Sequence, residues 1–260
     1  MPNGFDHAIV AVNDLGAAEA NFRALGFTVT NRPDVGATET ENRLVCFEDG
    51  SYIEIFSFRD KSKPSEHRWA PLLKAHGDGW VDYSVHVADA AAEHARLTAA
   101  GVAATTPRAG GRAIADGRRW GVAVVMAGRG VGSPVLPFLI QDTEARDVRV
   151  PDGPAAVQPH KATAIVGITL LTGGIGAVDS ALAALYGPGT DVKPRIDGAR
   201  AARRYDFAGR WIEVIEPAAL PARGEGVLEV TVGRPGHAMP GDGTLFPDAA
   251  TNGARLRIAT

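Results

Sequence analysis

The sequence predicts an α+β fold assembled from repeated βαβββ units. Gly50-Ser51-Tyr52-Ile53-Glu54-Ile55 returns as Gly209-Arg210-Trp211-Ile212-Glu213-Val214, so one strand pattern occurs twice. The glutamate of each copy lies 28 or 26 residues after a glycine placed to end a short helix, Gly26 or Gly187. Each copy also sets one acid inside an alternating apolar strand, which is costly unless something pairs with it. A duplicated unit with a built site accounts for all three observations.

In the first unit Phe5 to Val12 alternates as a strand. Asp14 is a good N-cap, Leu15, Ala18, Phe22 and Leu25 recur at helical spacing, and Gly26 supplies the C′ stop. Strands follow at 27–30, 43–47 and 52–58, the last two joined by a Glu48-Asp49-Gly50 turn. The second unit opens with a strand at 80–87. Asp89 caps a helix ending at Gly101, the same twelve-residue distance as Asp14 to Gly26. Strands fit 102–105, 120–126 and 136–141, with 108–119 an enlarged glycine- and arginine-rich loop. Residues 142–160 read as a linker. The third unit has a strand at 164–171, a helix at 175–186 with Ile175 in the slot of the capping aspartates, and strands ending at 211–215. Two further strands, 227–232 and 254–258, make a reduced fourth unit. The expected domains are therefore 1–145, with two modules, and 160–260, with one full and one truncated module.

Composition narrows the function classes. The chain has 260 residues, 45% apolar and 22% charged, enough for a substantial core. A net charge of -3 gives no footing for nucleic acid or an anionic membrane. The single cysteine, Cys46, excludes an intrachain disulfide and fits a reducing compartment. With no signal-like start and no apolar run long enough to span a bilayer, the expected location is cytoplasmic. There is no G-x-S-x-G elbow, no P-loop and no G-x-G-x-x-G helix start. Cys46, between Val45 and Phe47, reads as buried rather than nucleophilic.

The order of elements resembles the vicinal oxygen chelate superfamily, and within it the glyoxalase-like proteins whose second half is degenerate. The resemblance rests on F-D-H-A-I-V-A-V-N-D-L at 5–15, T-E-N-R-L at 40–44, Y-I-E-I at 52–55 and L-P-F-L-I-Q at 136–141. It covers most of residues 4–216 and implies paired modules forming two curved mixed sheets. It also implies a divalent ion held by a first-strand His or Gln and a last-strand Glu from each of two modules. That pattern falls on His7 and Glu54 in the first unit and, less completely, on Asp82 and Gln141 in the second. The third unit keeps Glu213 but has Ile168 at the slot of His7.

Period-2 alternation puts His7, Ile9 and Ala11 on one strand face, and Asp82, Ser84 and His86 on the matching face of the second unit. His7, Glu54 and His86, with Asp82 or Gln141, are thus the candidate metal ligands. Such a set suits Fe, Mn, Zn, Ni or Co. Glu54 is also the candidate proton-transfer residue. Alternatively, His7 is a satisfied core histidine and Glu54 its hydrogen-bonded partner. Glu213 reads as a relic paired with Arg203 or Arg204. Thr40 and Asn42 open a strand near the first cup. Trp80, Tyr83, Trp120, Phe138 and Trp211 are core or pocket aromatics. Arg108, Arg112, Arg118 and Arg119 are a solvated loop or a lid over an anion. Two functions follow. One is a metal-dependent lyase, isomerase or dioxygenase acting by bidentate chelation of a small oxygenated substrate. The other is a metal-free binder of the antibiotic-sequestering type. The expected partner is a small molecule, with neither nucleic acid nor membrane; homodimerisation is left open.

Overall fold

A computed structural model describes residues 1–32, 34, 35, 38–62 and 65–259. Two mixed sheets of seven strands organise the chain. The first contains β1 (Gly4–Ala11), β2 (Thr40–Cys46), β3 (Tyr52–Phe58), β4 (Gly79–His86), β5 (Arg108–Ala113), β6 (Arg119–Met126) and β7 (Phe138–Asp142), in the order β2-β3-β1-β4-β7-β6-β5. The second contains β8 (Ala164–Leu171), β9 (Thr190–Val192), β10 (Ala201–Phe207), β11 (Arg210–Glu216), β12 (Gly226–Gly233), β13 (Thr244–Leu245) and β14 (Arg255–Ile258), in the order β13-β14-β12-β8-β11-β10-β9. In each sheet the first strand of one unit lies antiparallel to the first strand of the next, β1 against β4 and β8 against β12. That pairing joins two modules into one curved surface.

The unit helices stand where cap and period place them. Helix α1 (Leu15–Ala24) buries Leu15, Ala18 and Phe22, and Asp14 Oδ1 accepts from the Ala17 amide at 2.9 Å. Helix α3 (Ala90–Ala99) is capped by Asp89, which accepts from Ala91 and Ala92. Gly26 adopts φ +87, a left-handed stop that favours glycine. The two other helices of the first half, α2 (Ala70–His76) and α4 (Arg146–Arg149), are too short to show a period. Helix α5 (Ile175–Tyr186) has its cap at Gly174, one residue earlier than the slot read from the sequence, and that glycine offers no side chain. Its first amide donates instead to Glu216 Oε2 at 3.1 Å.

Three expected features differ in detail. The strands at 27–30 and 102–105 shrink to single bridges, Thr30 to Leu44 and Ala104 to Ala127. Residues 108–113 form the edge strand β5, although a loop was expected. Glycines and arginines there give no apolar alternation, yet Gly111 fits because any Cβ would lie 2.3 Å from the Trp120 carbonyl oxygen. Residues 142–160 are packed, with Val148, Arg149 and Val150 buried. One continuous apolar cluster spans both sheets, and Phe5 meets Phe207 edge-to-face at 5.2 Å. Among the described residues, no helix is long and apolar enough to cross a membrane.

Candidate functional site

The first sheet curls until its far edge meets the segment leading into β2. Asp34 bridges Ile114, and the Val35 amide donates to the Ala113 carbonyl at 3.0 Å. The concave face encloses a cavity of about 490 Å³, lined by His7, Glu54, Phe56, Trp69, Trp120 and Phe138 among others. That volume falls in the range of about 300–1,000 Å³ typical of small-molecule sites. His7 and Glu54 share the cavity because β1 and β3 run parallel with Ile9 opposite Glu54 and His7 opposite Tyr52. With a period of two, both side chains point inward.

An irregularity in β1 adds a third member. The β1–β4 register slips between Phe5 and His7, which leaves Asp6 as the extra residue of a bulge. A bulge breaks strict alternation, and Asp6 Oδ1 thereby comes within 2.6 Å of His7 Nδ1. The carboxylate is only an acceptor, so Nδ1 carries the proton and donates to it. Nε2 then faces Glu54 Oε2 at 3.5 Å. The other Glu54 oxygen accepts from Asn42 Nδ2 at 2.7 Å. The His7 ring stacks on Tyr52 at 4.5 Å between centroids, with Phe138 edge-on at 5.4 Å.

Burial alone would raise the Asp6 carboxyl. The Arg149 guanidinium, the His7 contact and Arg146 outweigh burial and hold it well below the usual carboxylate range. Arg149 grips Asp6 with two bonds, at 3.0 and 2.7 Å, and also reaches Asp142 Oδ1 at 2.6 Å. Burial pushes the Tyr52 hydroxyl above its usual range, so it remains a neutral phenol that accepts from Arg149 at 3.1 Å.

The remaining sequence candidates lie elsewhere. Asp82 is buried beside the cavity but forms an ion pair with Arg68 and accepts from Trp69 Nε1 at 3.0 Å. His86 faces Asn3 and Asp142 at the end of β4. Gln141 accepts from the Ala90 amide at 2.9 Å and so caps α3. The register explains its absence from the cup. Glu54 pairs two residues beyond His7, and two residues beyond Asp82 is Ser84, whose β7 partner is Phe138. An aromatic ring therefore fills the second acid slot. Trp120 and Phe138 line the cavity, whereas Tyr83 belongs to the core. Asp6 and Arg149, which sequence reasoning missed, had one signal: an acid beside a histidine within an apolar strand.

The second sheet carries the duplicated acid in another state. Glu213 stands opposite Thr169, so the position matching His7 is Gly167 rather than Ile168. A Cβ on Gly167 would lie 2.1 Å from the Trp211 ring. Arg195, rather than Arg203 or Arg204, pairs with Glu213 at 2.6 Å and with Glu229 at 3.0 Å.

Among the described residues, no group of three or more His, Cys, Asp and Glu side chains converges as a metal site. His7 Nε2 and Glu54 Oε2 do have the chemistry of ligands, and a carboxylate behind the imidazole is the usual outer-shell orienter. Two donors fall short of the three protein ligands of a typical catalytic site. They fit an ion whose other positions are filled by substrate oxygens or water.

The glyoxalase-like domain family matches residues 5–186, most of the chain, and the chain belongs to that family. No curated protein matches it. The fold is similar to that of a hypothetical protein from Staphylococcus aureus, with TM-score 0.71, 15% identity and 98% of both chains covered. It is also similar to a mutant of 4-hydroxymandelate synthase from Streptomyces coelicolor, with TM-score 0.59, 16% identity, and 89% of this chain and 71% of that chain covered. Both are likenesses of the fold.

Proposed function

We propose that the protein is a glyoxalase-like enzyme acting on a small oxygenated organic substrate in the first cup, with His7 and Glu54 as its reactive pair. The observation that carries this reading is the Asp6–His7–Glu54 line, with distances of 2.6 and 3.5 Å, whose last two members line the cavity. A divalent ion held by His7 and Glu54 would supply Lewis-acid polarisation of two adjacent substrate oxygens. The chain's own residues do the rest. Asp6 fixes the tautomer, so the Nε2 lone pair faces the cavity. Glu54, with one oxygen anchored by Asn42, has the other to accept or return a proton when that oxygen is not committed to the ion. Phe56, Trp69 and Phe138 form a wall that limits water. This arrangement supports lyase or isomerase chemistry, or dioxygenase chemistry with iron.

Metal analysis of protein purified without chelator, followed by assays on 2-hydroxy ketones and 1,2-diketones, tests the proposal. The expected result is about one divalent ion per chain, lost in His7→Ala and weakened in Glu54→Gln, with turnover falling in both. A second reading, a metal-free binding protein, draws support from Phe138 in the second acid slot and from the commitment of Asp82 to Arg68. Ligand binding that persists in metal-stripped protein and in His7→Ala, without turnover, would establish that reading instead.

A further inference from the structure

Five arginines line the first cup, and four of them are already matched. Arg32 holds Asp34 through two bonds at 2.8 and 2.9 Å. Arg43 holds Glu19, an acid it shares with Arg23, at 2.6 Å, and Arg59 holds Glu41 at 3.2 Å. Arg149 is saturated by Asp6, Asp142 and Tyr52. Arg112 differs. Among the described residues its nearest carboxylate is Asp34 Oδ2 at 3.9 Å, and that acid already serves Arg32 and Trp120. Its one recorded hydrogen bond runs from Nη1 to Thr38 Oγ1 at 3.2 Å, and its side chain is 36% exposed. His67 does not compete as a cation, because burial and then Arg68 lower its pKa.

On the acidic side, Glu41 is matched by Arg59 and Asp34 by Arg32, so Glu54 is the lining acid without a cationic arginine partner. Among the described residues lining the cup, Arg112 on β5 is thus the arginine with no carboxylate at hydrogen-bond distance, and Glu54 on β3, next to His7, is the acid with no arginine at that distance. In the sheet, β6 and β7 lie between β5 and β3 and bring Trp120, with Arg32 over its ring at 4.6 Å, and Phe138 to the cavity, and Phe56 joins them from β3. A ligand with a negative charge meets attraction at Arg112 and repulsion at Glu54, which fixes its direction.

We propose that the first cup takes a monoanionic organic acid, its carboxylate forked on Arg112, its apolar body against Trp120, Phe138 and Phe56, and its uncharged oxygenated end at His7 and Glu54. This inference rests on the reading of the first cup as the reaction site. A planar guanidinium matches a carboxylate through two parallel bonds. One guanidinium neutralises one charge, which favours a carboxylate over a phosphate-like dianion. Arg112 is thus a specificity residue, not a catalytic one.

Calorimetric titration with 4-(hydroxyacetyl)benzoate, which carries its carboxylate and its uncharged oxygens at opposite ends of a ring, its methyl ester and the corresponding phosphonate tests the assignment. The acid should bind the wild-type chain roughly tenfold to a hundredfold more tightly than the ester, the scale of a charge-assisted hydrogen bond. Arg112→Gln should bring the acid down to the affinity of the ester and leave the ester unchanged. Arg112→Lys should restore part of the difference. Thermal unfolding within a few degrees of wild type guards against a folding defect. Equal binding of acid and ester, equal loss of both in Arg112→Gln, preference for the phosphonate, or no binding of the acid at millimolar concentration would each overturn the inference. The discrimination ratio reads Arg112 alone. Metal content and turnover in His7→Ala and Glu54→Gln read the reaction proposal, so either can fail while the other stands.

Discussion

The carboxylate of Asp6 touches both His7 and Arg149, so one substitution there disturbs a site residue and a buried ion pair together. Asp6→Asn keeps the shape but removes the charge that Arg149 faces. Removing one partner of a buried pair costs about 3–5 kcal/mol, and Asp142, still bound to Arg149, should hold the loss near the lower end. The same change should weaken a divalent ion roughly 10- to 100-fold, because the outer carboxylate no longer orients the imidazole. Urea unfolding and metal titration measure the two effects separately. Asp142, like Asp6, contributes to the pH dependence. Burial would raise its carboxyl, but His86, Arg149 and Arg146 hold it below the usual carboxylate range. A carboxyl depressed in the folded state contributes stability that is complete above the unfolded value and is lost as pH falls through the folded one. Stability should therefore be level above about pH 5 and decline below about pH 4, less steeply in Asp142→Asn. An unchanged acid slope in that variant would remove Asp142 from the account.

At the scale of elements, the sequence exposed what obeys a period or a cap. Helices α1 and α3 were legible because an aspartate cap, an apolar face and a glycine stop agree in each. His7 and Glu54 were legible because strict alternation fixes their faces. Strand β5 was not, since its pairing depends on Gly111 passing close to Trp120 and not on apolar side chains. Asp6 was hidden by the bulge, which breaks the parity that sequence reading relies on. The slip from Gly167 to Ile168 has a single origin, the uncapped Gly174 at the start of α5. Gln141 shows how a motif residue at the end of a strand can serve a helix instead. Gln141→Ala should cost about 1 kcal/mol, the worth of one satisfied amide, with the metal content of the protein unchanged. A loss of metal in that variant would place Gln141 back in the cup.

Across the whole molecule, two copies of one strand motif end in opposite states. In the first sheet Tyr52 stacks on His7 and leaves a cavity over Glu54. In the second, Trp211 lies across Gly167, and Arg195 sits between Glu213 and Glu229. In the second cup a guanidinium of the chain itself thus occupies the place beside the acid. Glu213 and Glu229 are 2% and 0% exposed, so their charges depend on protein partners and not on water. Arg257 and Arg255 remain near Glu229 when Arg195 is removed, but Glu213 loses its recorded arginine partner. Arg195→Met should therefore destabilise the chain by about 3–5 kcal/mol in urea unfolding at neutral pH. Adding Glu213→Gln should recover most of that loss, because an amide tolerates the apolar neighbour better than an unpaired carboxylate. The acid-to-ester discrimination of the first cup should persist in the double variant, since Arg112 lies on the other sheet. Arg195→Met as stable as wild type, or a double variant no better than the single one, would show that the second acid is held by something other than this arginine.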